Sequence, residues 1–132
     1  MKRLTPAIVS IVTLACFGAA RAHHSIDADF TPGVTVTINA VVTDYRFINP
    51  HPYLTAAQSD GERAGDEWTL LLDDRWELVE AGFNRSTFQP GDELVVTGMP
   101  SRRDPNALYV RVMERPSDGF VYEEDDGEDY DD

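Results

Sequence analysis

The sequence predicts a mainly β protein: a small five-stranded OB-like barrel, β-β-β-α-β-β, with one short helix between strands three and four. Three observations carry that expectation. Five segments with apolar residues at strand spacing are separated by turn residues. The first is long and changes parity midway, as the bent first strand of a small closed barrel does. A helical pattern opening at Asp74 falls between the third and fourth segments. A generic α+β roll, or an open sheet with one helix, is the competing architecture.

The two ends fall outside that domain. Met1-Lys2-Arg3 is a basic start, Ala7 to Ala20 is apolar except for Ser10, Thr13 and Gly18, and Ala20-Arg21-Ala22 supplies the small residues of a cleavage site. This order is that of a secretory signal peptide over residues 1–22, with cleavage after Ala22 or after Ala20. In a helix, Ala7 to Ala20 covers about 21 Å, short of the roughly 30 Å hydrocarbon core, so no transmembrane span is expected in the mature protein. A periplasmic or extracellular location follows. Cys16 is the only cysteine and lies within the apolar run, which leaves the mature domain without thiol or disulfide. A loose likeness of Thr13-Leu14-Ala15-Cys16 to a lipoprotein processing site makes a lipid anchor at Cys16 the alternative. At the other end, eight of the last ten residues are acidic, and residues 117–132 read as a disordered acidic tail. One domain, residues 23–116, remains.

Within it the elements follow in order. Residues 23–33 form an arm in which Ser25 caps one helical turn and sets Ile26 and Phe30 on one face, a plug for an open barrel end. Val34 to Ile48 is the first strand. Val34, Val36, Ile38, Ala40 and Val42 share one face, and beyond Val41 the large apolar positions become Tyr45 and Phe47, which calls for a bulge. Asn49-Pro50-His51-Pro52 breaks the strand because neither proline can donate to a ladder. Tyr53 to Gln58 is the second strand, and Trp68, Leu70 and Leu72 mark the third. Asp74 caps the helix, whose buried side is Trp76, Leu78, Val79 and Ala81, with Gly82 as the stop. Trp76 is expected to plug the barrel. After the Pro90-Gly91-Asp92 turn, Leu94 to Gly98 is the fourth strand; Leu108, Val110 and Val112 are the inward set of the fifth.

After residue 22 the chain carries 8 Arg, no Lys and 24 Asp and Glu, a net charge of −16. Such a surface repels phosphate backbones and excludes a nucleic-acid role. The templates for nucleophilic, nucleotide-dependent and dithiol catalysis are absent. Adjacent Asp73 and Asp74 point to opposite faces of an extended segment, so the pattern does not favour an enzyme. Aromatic residues on the first three strands, Tyr45, Phe47, Tyr53 and Trp68, form the expected ligand face, suited to stacking on a small molecule or an extended peptide of a partner protein. The histidines His23, His24 and His51 are the expected metal ligands. Cleavage after Ala22 makes His23 the first residue, with its amine and imidazole free to chelate copper, or else nickel or zinc. If the arm lies back along the first strand, His24 falls opposite Val41 or Val42 and His51 lies near 30 Å further on, so only strong curvature joins the three.

The Ala22-His23-His24-Ser25 start, Phe30, Ile48-Asn49-Pro50-His51, Trp68 and Pro90-Gly91-Asp92 together resemble an uncharacterised family of small exported bacterial proteins, a domain of unknown function. The likeness covers about residues 22–113 and implies a periplasmic OB-like protein, with no activity to carry over. Members usually have Trp-Ile-Asn-Pro-His-Ala; here Phe47 and Pro52 take the outer positions. The expected function is therefore an exported, non-enzymatic binding or accessory module of unknown ligand, and the alternative is a metal-binding protein acting through its histidine-bearing mature N-terminus.

Overall fold

The computed structural model describes residues 26–124. The expected signal peptide of residues 1–22, Cys16, His23, His24, the expected Ser25 cap and residues 125–132 lie outside them. The order is α1 (Ile26–Asp29), β1 (Val36–Arg46), β2 (Tyr53–Gln58), β3 (Glu67–Leu71), α2 (Arg75–Glu80), β4 (Glu93–Pro100), β5 (Ala107–Arg115) and β6 (Phe120–Glu123). The sheet runs β3-β2-β1-β4-β5-β6, and β3 also pairs in parallel with β5. That pairing closes the first five strands into the OB-like barrel that the sequence predicts.

β1 serves both sides of the barrel. Its first half, Val36 to Val41, pairs with β4, and Ala40 to Arg46 pairs with β2. The register shifts between Val42 and Asp44, so Thr43 is the extra residue of a bulge. Before it Ile38, Ala40 and Val42 are buried; after it Tyr45 and Phe47 turn to the core. The parity change legible in the sequence is this bulge. A second shift, between Thr97 and Gly98 of β4, leaves Arg111 as the extra residue of β5. Met113 therefore faces the core instead of the expected Val112, which is half-buried. Gly98 sits at this shift because the β5 backbone passes too close for any side chain. A Cβ there would collide with the Tyr109 carbonyl and lie 3.2 Å from the Leu108 Cβ.

β6 corrects the boundary drawn from the sequence. Phe120 and Tyr122 alternate with Val121 and Glu123, and the acids around them hide a period-two pair whose tyrosine is buried. One edge of β5 is thus divided: Ala107 to Tyr109 pair with β3, and Val112 to Arg115 pair with β6. β6 covers an edge that barrel closure alone leaves unpaired.

α2 is capped as expected, with the Asp74 carboxylate accepting from the Glu77 N–H at 3.0 Å. Its end is a Schellman turn: Gly82 at φ 91° donates to Val79, and Phe83 donates to Leu78. The buried side differs from expectation. Leu78 alone of the helix is buried, while Trp76 is 71% exposed and Val79 45%. Six residues make fewer than two turns and turn only Leu78 to the core, and the Gly82 turn brings Phe83 and then Phe88 into the barrel while Trp76 stays outside. Phe83 lies 5.3 Å from Tyr122 and 5.7 Å from Phe120; Phe88 lies 5.1 Å edge-on from Tyr45. Arg115 seals this aromatic end, its guanidinium 5.4 Å from the Phe88 ring and bonded to Asp92, Asp118 and the Thr87 carbonyl.

The arm neither plugs an end nor follows β1. Phe30 bridges Ser101, Thr31 donates to Pro100, and Arg102 donates to the Asp29 and Phe30 carbonyls. Phe30 packs with Met99 and Tyr109, flanked by Ile26 and Leu71, as a second apolar cluster on the outer wall of the barrel. Met99 and Leu71 both pair with Tyr109, so the three stand side by side across β4, β5 and β3.

Gly98→Ala should lower stability by about 2–3 kcal/mol, the cost of forcing a methyl into packed backbone, read as a fall in the urea midpoint. An unchanged midpoint would mean that β4 and β5 do not approach this closely.

Candidate functional site

Past the Thr43 bulge, Tyr45 and Phe47 converge at the end of the barrel where β1 leaves the sheet, their rings 6.0 Å apart. With Arg46, Ile48 and Arg85 they line a recess of about 240 Å³. Each wall has a local cause. The bulge turns the two aromatic rings inward, and β1 ends at Arg46, so that Phe47 and Ile48 lead out of the sheet toward the Asn49–Pro50 cis peptide. Asn84 accepts from the Ser86 N–H at 2.7 Å, and Thr87 accepts from the Asn84 N–H at 2.8 Å, which holds the loop that presents Arg85. The Arg75 guanidinium stands over the Phe47 ring, 4.9 Å from its centroid. Burial lifts the Tyr45 phenol to about 12, so it stays neutral and can serve as a hydrogen-bond donor. Arg46 is held by Asp44 at 2.6 Å, both exposed, and this pairing raises its already high pKa.

The four expected aromatic residues do not make one face. Tyr45 and Phe47 meet in the recess. Trp68 is 4% exposed in the core, its indole N–H donating to Gln58 at 3.0 Å and the Arg63 guanidinium 4.4 Å from its ring. Tyr53 pairs with Arg46 and Leu71 and is half-buried on the outer wall. The bulge separates them: without the parity change Tyr45 and Phe47 would share the outer side with Tyr53. Arg46, Ile48 and Arg85 of the recess, and Arg75 over Phe47, were not expected at a site. One signal in the sequence points to Arg85, which is the only arginine after residue 22 with no Asp or Glu within four positions.

A second cluster gathers carboxyl and phenol groups beside the outer apolar layer. Tyr109, 1% exposed, donates to Glu124 at 2.6 Å, with Asp73 3.4 Å from the same hydroxyl. Arg111, the bulge residue, pairs with Glu124. Glu77 is raised to about 7, chiefly by sharing a proton with the Asp73 carboxyl, then by partial burial and the charges of Asp73, Asp74 and Glu124. Burial, with the Glu124 carboxylate as hydrogen-bond partner, also lifts the Tyr109 phenol far above its usual range. His51 stands opposite Asp73 in the continuation of the β2–β3 pairing, since Leu72 donates to Pro52 and Arg75 to Pro50. Its Nδ1 is buried and without a hydrogen bond. Among the described residues no three His, Cys, Asp or Glu side chains are placed to hold a metal ion. The other two expected ligands, His23 and His24, lie outside those residues.

A larger hollow of about 300 Å³ lies between Asn39, Asp60, Glu93 and Pro116. Asn39 and Asp60 bond to each other there at 2.7 Å, and the lining holds no aromatic ring or cation. Among the described residues no helix is long and apolar enough to cross a membrane. The model of a family of unknown function (DUF6152) matches residues 11–108. No curated protein and no solved structure matches the chain.

The carboxyl cluster sets a pH dependence. Glu77 keeps its proton to about pH 7 in the folded chain and releases it near 4.5 when unfolded, so the folded state binds more protons in that window. Stability should therefore fall as pH rises from about 4.5 to 7, by on the order of 1 kcal/mol after solvent screening. Glu77→Gln should flatten the profile; urea midpoints at pH 5 and pH 7.5 that change equally in both proteins would refute the assignment.

Proposed function

We propose that this chain, which belongs to the family of unknown function DUF6152, is an exported, non-enzymatic binding module whose ligand enters the recess between Tyr45, Phe47, Ile48 and Arg85. The recess itself supports this most directly. It places two aromatic rings and an exposed isoleucine, Ile48 at 48% exposure, around an open concavity, where an apolar group leaves water on binding. Its volume is below the roughly 300–1,000 Å³ of drug-sized pockets. It therefore suits a ligand of one ring, or one side chain of a partner protein. Export rests on the basic start, apolar run and Ala-Arg-Ala site of residues 1–22.

In nitrogen-15 correlation spectra, millimolar benzyl alcohol should shift the amides of residues 45–48 and 85 and few others. Ile48→Asp should remove those shifts with the melting temperature within about 2 °C, as expected for an exposed position. Shifts scattered over the barrel, or none, would refute the recess as the site.

A second reading is favoured by the position of His51. Its Nδ1 is buried without a hydrogen bond, His51 stands opposite Asp73 in the continuation of the β2–β3 pairing, and Asp73 lies 3.4 Å from the hydroxyl of Tyr109, on whose cluster Ile26, two residues after His24, packs. Ile26 thus joins the described fold at the Tyr109 cluster and not along β1, the course that would hold His24 and His51 far apart. On this reading the new amine and imidazole of His23 bind Cu(II), with His24 and His51 as further ligands. Protein processed to begin at His23 should bind Cu(II) at least ten times more tightly than the same chain extended by one Met; equal affinities would remove the terminal chelate.

A further inference from the structure

We infer that the recess selects an organic anion: a small aromatic or branched carboxylate, phosphate or sulfate ester whose charged end meets Arg46 and Arg85 while its apolar end lies on Tyr45 and Phe47. The inference rests on the recess being the binding site, and it adds the charge of the ligand.

Four observations lead there. The chain carries 24 acids after residue 22, yet the residues lining the recess include two arginines and no Asp or Glu. Each of the other arginines is occupied by the fold: Arg63 by Asp66, Arg102 by the Phe30 carbonyl, Arg103 by Asp29, Arg111 by Glu124 and Arg115 by Asp92 and Asp118. Arg85 makes no ion pair among the described residues, and Arg75 lies over Phe47 with only its backbone N–H bonded, to Pro50. Arg46 has Asp44, but through Nε alone at 2.6 Å, which leaves both terminal nitrogens of the fork free to grip a second anion.

The physical consequence is one of balance. Filling the recess with a neutral apolar group draws Arg46 and Arg85 out of water with no carboxylate in the lining and only Asp44, paired to Arg46, beside it. An anion offsets that cost and adds charge-assisted hydrogen bonds in a site partly screened from solvent. The negative charge over the rest of the molecule opposes an anion only at long range, and at physiological ionic strength it is screened beyond about 8 Å. Contacts within the recess act at shorter distance than that.

Two probes of one shape separate charge from shape: benzoate and benzyl alcohol, titrated against the full processed protein and followed by the amides of residues 45–48. Benzoate should bind at least ten times more tightly than benzyl alcohol. Arg85→Gln should bring the ratio of benzoate to benzyl alcohol affinity down to about one, and Arg85→Lys should restore part of the difference. Equal affinity of the two probes for the unaltered protein, or benzoate binding untouched by Arg85→Gln, would overturn the anion preference while the recess stood as a binding site. Failure of both probes to shift residues 45–48 would overturn the recess along with it.

Discussion

One extra residue in β1 governs the molecule. A strand that pairs with β4 along its first half and β2 along its second must coil through a wide angle, and at Thr43 it does so by a bulge that exchanges its two faces. Closure through the parallel β3–β5 pairing becomes possible because β1 has turned that far. The same residue puts Tyr45 and Phe47 at the mouth of the barrel and turns Arg46, at the rim of the recess, and Tyr53 away from the core. Fold and recess therefore share one cause, and the Thr43 hydroxyl bonded to Thr55 at 2.9 Å ties the bulge to its neighbour.

What could be foreseen follows the reach of each signal along the chain. The strands, the parity change in β1, the Asp74 cap and the Gly82 stop are written in residues a few positions apart, and a sequence displays such spacing directly. Competition between distant groups is invisible at that range. Trp76 sits at a helical position suited to burial, but Phe83 and Phe88, brought round by the Gly82 turn, take the space it would fill. Phe120 and Tyr122 are masked by neighbouring acids, although the uncovered edge of β5 gives them a place. Aromatic residues at strand spacing already single out Tyr45 and Phe47, two of the residues that line the recess. Its two arginines could not be read as a pair, because Arg46 and Arg85 are far apart in sequence and come to one recess only in the folded barrel.

Two chemistries lie at separate places on this barrel. Around Tyr109, carboxyl groups crowd together, and the crowding is relieved by Arg111, by a phenol that donates and by a proton that Glu77 retains. Around Phe47 the imbalance has the opposite sign, with guanidinium groups outnumbering carboxylates. Groups of like charge come together at a cost unless something compensates them. In the first cluster the chain supplies the compensation; in the second the described residues supply only Asp44.

The contrast between the two indoles has an optical consequence. Trp68 is enclosed with its N–H satisfied by Gln58, whereas Trp76 stands open on α2. Their fluorescence should therefore divide into a blue, protected component and a red component that a dissolved quencher such as iodide or acrylamide can extinguish. Because the two report from the wall of the barrel and from the helix across its end, opening of the barrel and disturbance of the helix can be followed separately, in one cuvette and without a label.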